Sequence, residues 1–273
     1  MIEIFQYDFF RYAVAGLLII SVASAIIGTY IVSRRLVALS GGITHACFGG
    51  LGLGYFIGFS PVAMAAVVAV GSAAAVEWLG RNHMREDSAT AVVWALGMAL
   101  GILFVFLTPG YVPELNTFLF GNVLTITSAD LWAFGIFTFL LLLFVICFYS
   151  RIVACAFDRD FARVAGLHER PIHYIMTVMI AVCIVLTIRL VGIMLLMSML
   201  TIPQLTAEVL SRHLRTMMSL SAIISAIAAM TGLMLAVVID VPCSALIVLV
   251  MTAIYAVVRL TAPLVSHLRA PAQ

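Results

Sequence analysis

Long apolar runs broken by brief polar interruptions dominate the chain from Phe9 almost to its carboxyl terminus. They divide into nine candidate spans, at about 10–32, 37–58, 61–79, 89–107, 131–150, 172–189, 191–209, 217–239 and 242–260. Each is near the ~20 residues that a helix needs to cross hydrocarbon. Several connections are very short, including Phe59-Ser60, Arg189 to Val191 and Asp240-Val241, which predicts a tight bundle of antiparallel neighbours. The expected fold is an all-α polytopic membrane protein of eight to nine transmembrane helices, with nine preferred. The spans form a single transmembrane domain over residues 1–273. The first apolar run is followed by others of equal length, so it reads as a transmembrane helix and not as a removed signal.

Two connections are longer than the rest. Residues 108–130 contain no arginine and have an apolar centre, which suits a re-entrant or interfacial segment packed on the bundle. Residues 151–170 mix both charge signs with Phe157, Phe161 and Val164 at helical spacing, which suits a short amphipathic helix at a membrane face, with a solvated loop as the alternative.

Composition agrees with the spans: 64% of residues are hydrophobic, 10% are charged, and the mean hydropathy is +1.22. The cations change the picture further, because all 14 are arginine and none is lysine. Without lysine there is no P-loop lysine for the terminal phosphates of ATP and no Schiff-base amine. Any ATP hydrolysis that drives this chain belongs to another subunit. Alternate connections collect 12 of the 14 arginines on one side, leaving only Arg11 and Arg189 opposite. Positive charge marks the cytoplasmic face, so the amino terminus is expected outside and the carboxyl terminus in the cytoplasm.

With few buried polar groups available, the segment SGGITHACFGG becomes the candidate for chemistry. His45 lies nine residues into the second span, roughly 13 Å deep, where ionisable groups are costly and usually functional. Its helical neighbours Gly41, Gly42, Gly49 and Gly52 leave space for a cavity beside the ring, and a neutral imidazole suits zinc, manganese or iron. A structural hydrogen bond to a neighbouring helix is the alternative. Cys47 lies about 200° around the helix from His45 and cannot share an ion with it unless the helix breaks. Small residues recur every fourth position at Gly42, Ala46, Gly50, Gly54 and Gly58, the pattern of a helix-packing seam in lipid.

The remaining polar positions are weaker candidates. Asp240, before Pro242, either receives a cation at the outer end or caps a turn. Glu208 and Glu77 each have an arginine four residues on, which suggests ordinary helical ion pairs. The five cysteines form no CxxC pair and read as small core residues. No HExxH, GxSxG or oriented nucleophile and base occurs, so an enzyme is not expected.

Three segments, in order, resemble the transmembrane permease subunits of zinc/manganese-type ABC metal importers. SGGITHACFGG is similar to the family's Gly-Asp-Ala-x-Ser-His-Ala-x-x-Pro-Gly, with His45 on its histidine and Thr44 on its serine. FDRDFARVAGL, 157–167, is similar to its cytoplasmic coupling segment, and the run from Val191 through Leu249 resembles its last three spans. The chain departs from the family at Gly41, where aspartate is usual, and at Gly49, where proline is usual.

The resemblance implies a permease of the bacterial cytoplasmic membrane that imports a divalent transition metal by alternating access. Its implied partners are a cytoplasmic ATP-binding subunit, an extracytoplasmic metal-binding protein and a second, identical permease chain. No resident cofactor and no nucleic acid are implied. By the same resemblance, Phe157, Asp158, Asp160, Phe161 and Gly166 seat in the ATPase. Because Gly41 removes the carboxylate beside His45, the choice of metal, and of bare ion or chelate, stays open. The competing readings are a self-sufficient cation transporter or channel, for which no inverted second copy of the glycine-rich segment is found, and an ABC permease for a metal chelate.

Overall fold

The computed structural model describes residues 6–81, 85–109, 121–157 and 169–269. Among them the chain forms nine α-helices and one 3-10 turn, with no strand. The helices are α1 (Asp8–Ser33), α2 (Val37–Ile57), α3 (Pro61–Arg81), α4 (Glu86–Leu107), α5 (Ser128–Phe157), α6 (Glu169–Met199), α7 (Ile202–Leu210), α8 (Leu214–Ile239) and α9 (Cys243–Arg269), and the 3-10 turn is Val123–Thr125.

The bundle has two chemically distinct ends. At one, Arg34 donates to the Cys155 carbonyl near the end of α5, Arg215 lies 4.3 Å from the Tyr149 ring, and Arg35, Arg212 and Arg259 line one groove. At the other, Arg189 pairs with Asp130 at 3.2 Å, and Tyr7, Asn122 and Asp240 line a second groove. Five of the arginines that alternate along the sequence, Arg34, Arg35, Arg212, Arg215 and Arg259, therefore gather at one end of the fold.

Eight apolar runs are long enough to cross a membrane, and the sixth, Pro171–Leu210, is 40 residues long. It contains both of the spans expected at 172–189 and 191–209. Its helix is interrupted at Gly192, whose φ of 79° and ψ of 171° are not helical. Before that break, Arg189 has reached the arginine-poor end. After it, Leu200 and Gln204 lie against Gly28 near the far end of α1, and Arg212 reaches the arginine-rich groove. The two halves run in opposite directions, so the 40 residues form two passes joined by a sharp reversal. Gly121, at φ 62°, packs on that reversal so closely that a Cβ would meet the Val191 carbonyl carbon. Only glycine fits both its backbone angle and its contact.

The helix boundaries have local causes. Gly58 closes α2 in the left-handed conformation, and Pro61 opens α3 with its φ already set. Asp240 closes α8 at φ 59° just before Pro242. The described part of the expected outer segment, 121–127, packs inward through buried Val123 and Ile126, and Ile126 meets Gly16 of α1. Of the amphipathic helix expected at 151–170, residues 158–168 lie outside the described residues, and 151–157 continue α5.

Burial shows which helices form the centre: 72% of the α1 and α2 windows is buried, against 17% for α4 and for α9. Some polar groups inside this centre are bonded by the protein, while Gln204 Oε1 and His45 Nδ1 are buried without a partner. Gln204, with no exposed surface, donates from Nε2 to the Ser24 carbonyl at 2.9 Å and the Met199 carbonyl at 3.0 Å. One amide thus ties α1 to the interruption between α6 and α7. Ser225 of α8 meets Ser21 of α1 at 3.3 Å, hydroxyl to hydroxyl.

Two expectations follow for stability. Gln204→Leu keeps the volume but loses both cross-links, which costs about 2 kcal/mol. Thermal unfolding in detergent should drop by several degrees, whereas Thr231→Ala on an exposed face should leave it unchanged. Gly97→Leu should abolish folded protein in the membrane, because its Cβ would collide with Ala46 Cα of α2, while Gly71→Leu, which faces open space, should accumulate normally.

Candidate functional site

The site begins with how closely α2 and α4 approach. A Cβ at Gly49 would lie 2.8 Å from the Gly97 carbonyl oxygen, and one at Gly52 would lie 2.5 Å from that of Gly101. Gly42 faces Thr90 of the same helix. On the next face, Gly50 abuts the Met64 carbonyl and Gly54 abuts Pro61, both of α3. The small-residue ladder of α2 therefore divides between two partners: Gly42 and Ala46 meet α4, Gly50 and Gly54 meet α3, and Gly58 is the terminal turn.

This packing corrects one expectation. The glycines around His45 do not leave a cavity, because backbone from α4 occupies the space at Gly49 and Gly52. At Gly41 the space is filled from α6, with the Met197 methyl 3.2 Å from where a Cβ would stand. The imidazole itself lies between these two contacts on the α2 surface. It stacks on Trp94 of α4 with ring centroids 4.3 Å apart and planes 4° from parallel. Its Nδ1 is buried without a hydrogen-bond partner. The residue as a whole remains half-exposed, so Nε2 is the nitrogen on the accessible side.

Its neighbours in sequence do not share that opening. Thr44 is fully buried and donates to the Ser40 carbonyl at 2.7 Å, so its hydroxyl is satisfied within α2. Cys47 is also fully buried. Among the described residues no cluster of three or more histidine, cysteine, aspartate or glutamate side chains could hold a metal ion.

Asp240 is exposed at the arginine-poor end, in a groove of about 700 Å³ shared with Tyr7, Asn122 and Cys243. Phe157 is the last residue of α5, and Asp158, Asp160, Phe161 and Gly166 lie outside the described residues. Glu208 and Arg212 do not form the expected helical pair: α7 ends at Leu210 and Ser211 is extended, so the register that would align them is lost. Both instead line the groove with Arg35 and Arg259. No disulfide joins the five cysteines, of which Cys47, Cys155 and Cys183 are buried while Cys147 is exposed on α5, away from the core expected for it.

Two residues of this site were not evident from sequence. Met197 and Trp94 carry no motif and sit in apolar runs where such residues are commonplace. A signal for α4 did exist in Gly97 and Gly101, one helical turn apart, which mirror the ladder of α2 and place Trp94 one turn before the seam.

Known proteins agree with this architecture. The sequence matches the ABC 3 transport family over residues 6–262. MntC of Halalkalibacterium halodurans, named as a manganese transport system membrane protein, is 31% identical over 263 residues, covering 96% of this chain and 90% of that protein. A Chlamydia pneumoniae protein named as a probable metal transport system membrane protein is 35% identical over 241 residues, covering 85% and 81%. PsaBC from Streptococcus pneumoniae, solved in complex with Fab, has the same fold at a TM-score of 0.84 with 23% identity, covering 94% of this chain and 95% of that one. A transporter described as of the metal-chelate ABC type, in an inward-facing conformation, has a TM-score of 0.72 at 16% identity, covering 90% and 84%. With the matched residues extending over nearly every helix described above, the chain belongs to the ABC 3 transport family, the metal-importer permeases that its sequence resembles.

Proposed function

We propose that this chain is the permease subunit of an ATP-driven importer of a divalent transition metal in the bacterial cytoplasmic membrane. Two copies surround the pathway and alternate between outward and inward openings. The observation that carries this reading is His45, an imidazole near the middle of a bilayer-spanning helix, half-exposed and without a polar partner for Nδ1. Such a group is expensive in hydrocarbon unless it faces a polar route.

The arginine-rich end faces the cytoplasm, as positive charge at short loops favours, so the amino terminus is outside. Energy comes from a separate ATP-binding subunit, since this chain has no lysine for a P-loop. That subunit docks on 151–170, with Phe157, Asp158, Asp160, Phe161 and Gly166 transmitting its closure to the bundle as a rigid-body change. An extracytoplasmic metal-binding protein delivers the ion to the arginine-poor end, where Asp240 borders the entrance groove. Manganese is the first candidate, from the similarity to MntC, a manganese transport system membrane protein, with zinc and iron behind it. The metal-chelate reading draws on Gly41, which leaves His45 without a carboxylate on its face.

The test is the metal content of cells under scarcity of each metal, comparing a deletion strain complemented with wild type or with His45→Ala at matched membrane abundance. One metal should fall on deletion, return with wild type and stay at least about tenfold below it with His45→Ala, a loss of the size expected for a residue that contacts the ion. Loss of a siderophore-like chelate with no change in free-ion uptake would move the assignment to chelates. Full restoration by His45→Ala would make the histidine structural.

A further inference from the structure

We propose that Trp94 is the positioning residue for His45, its indole fixing the imidazole plane so that Nε2 is presented to the passing metal ion. The assignment rests on the importer reading above and adds to it a residue on α4.

The geometry begins with the stack itself, 4.3 Å between centroids and 4° between planes. A metal ion binds an imidazole in the plane of the ring, along the nitrogen lone pair. A partner on the face of the ring therefore restrains its orientation while leaving the coordination direction open. Ligating histidines ordinarily have their plane set by a hydrogen bond from the second nitrogen to a carboxylate, carbonyl or water. Here that nitrogen, Nδ1, is buried and has no partner. Nor can α2 supply one from the preceding turn, because position 41 is glycine and the Met197 methyl takes the space. The indole face is the restraint that the structure provides in place of that bond.

The Trp94 ring is 43% exposed, and what holds it beside the imidazole is the backbone that carries it. One turn before it, Thr90 closes on Gly42, and three residues after it, Gly97 closes on Ala46. These contacts lock the α4 backbone to the helix that carries His45, so the two rings are presented from a rigid pair. Binding of a cation draws electron density from the imidazole and makes its face more positive. Attraction to the electron-rich indole face then strengthens, so the stack favours the metal-bound ring over the empty one. A side chain that merely filled space would lack this dependence.

The experiment uses the complete transporter with its ATPase, and reads uptake of Mn²⁺ and of Zn²⁺ at saturating metal. Trp94→Leu should cut the rate about tenfold at unchanged membrane abundance, whereas Trp94→Phe, which keeps a ring face, should stay within about twofold of wild type. A second readout replaces Trp78 and Trp132, both exposed, by phenylalanine, which leaves Trp94 as the single tryptophan of the three in the chain. Its emission should change saturably on addition of Mn²⁺ or Zn²⁺, and the response should vanish with His45→Ala. Trp94→Leu equal to wild type, Leu and Phe variants equally defective, or an emission unmoved by a metal that is transported would each overturn the assignment of Trp94 alone. Absence of metal uptake by the wild-type transporter would overturn the importer reading and this assignment together.

Discussion

A chain that crosses hydrocarbon finds no water there, so every polar group in its interior must be answered by the protein itself. The structure meets this constraint mostly at short range. Buried hydroxyls bond back to carbonyls one turn earlier, as Ser21 does to Leu17, Thr29 to Ala25 and Thr187 to Cys183. The long-range exceptions mark where the bundle is tied together. Gln204 stands out because its Nε2 answers two carbonyls at once, one on α1 and one at the interruption between α6 and α7. Two buried atoms go without such an answer, the Gln204 Oε1 beside these bonds and the Nδ1 of His45, and of the two the titratable ring is where a function is sought.

The same constraint explains why glycine carries so much of the architecture. Apolar side chains gain nothing by leaving lipid for each other, so helices associate through close packing, and small residues bring backbones near enough for it. The α2–α4 seam takes this to the limit, with Gly49 on Gly97 and Gly52 on Gly101. It converts two helices into one rigid piece that carries both rings of the histidine and tryptophan stack. A second pair of glycines, Gly121 and Gly192, serves a different purpose: it allows a sharp reversal to be packed against a connecting segment. Rigid pieces joined by abrupt reversals are what an alternating-access device requires, since such a device moves by rotating packed units and not by bending them.

Much of this was legible in the sequence because the strongest signals are local. Apolar run length located the helices, and arginine spacing separated the two ends of the bundle before any contact was known. The short interruption from Arg189 to Val191 also divided the 40 residues of Pro171–Leu210 into two passes. His45 drew attention by its depth and its glycine neighbours. Their meaning was misjudged, because a missing side chain leaves space only until another helix enters it, and nothing in α2 says which helix will. The Glu208 and Arg212 pairing failed for a related reason: helical spacing predicts contact only while the helix continues, and α7 ends between them.

The sequence by itself determined an all-helical membrane protein, the succession of its apolar passes, the lack of any lysine for a P-loop, and the histidine around which function is argued. These follow from composition and from spacings shorter than a few helical turns, which survive in any fold that the chain adopts. Only the tertiary structure decided what surrounds that histidine. Trp94 lies 49 positions away in sequence, and Met197 is further still. Their meeting at one turn of α2 depends on how three helices cross, a property of packed surfaces that no single helix contains.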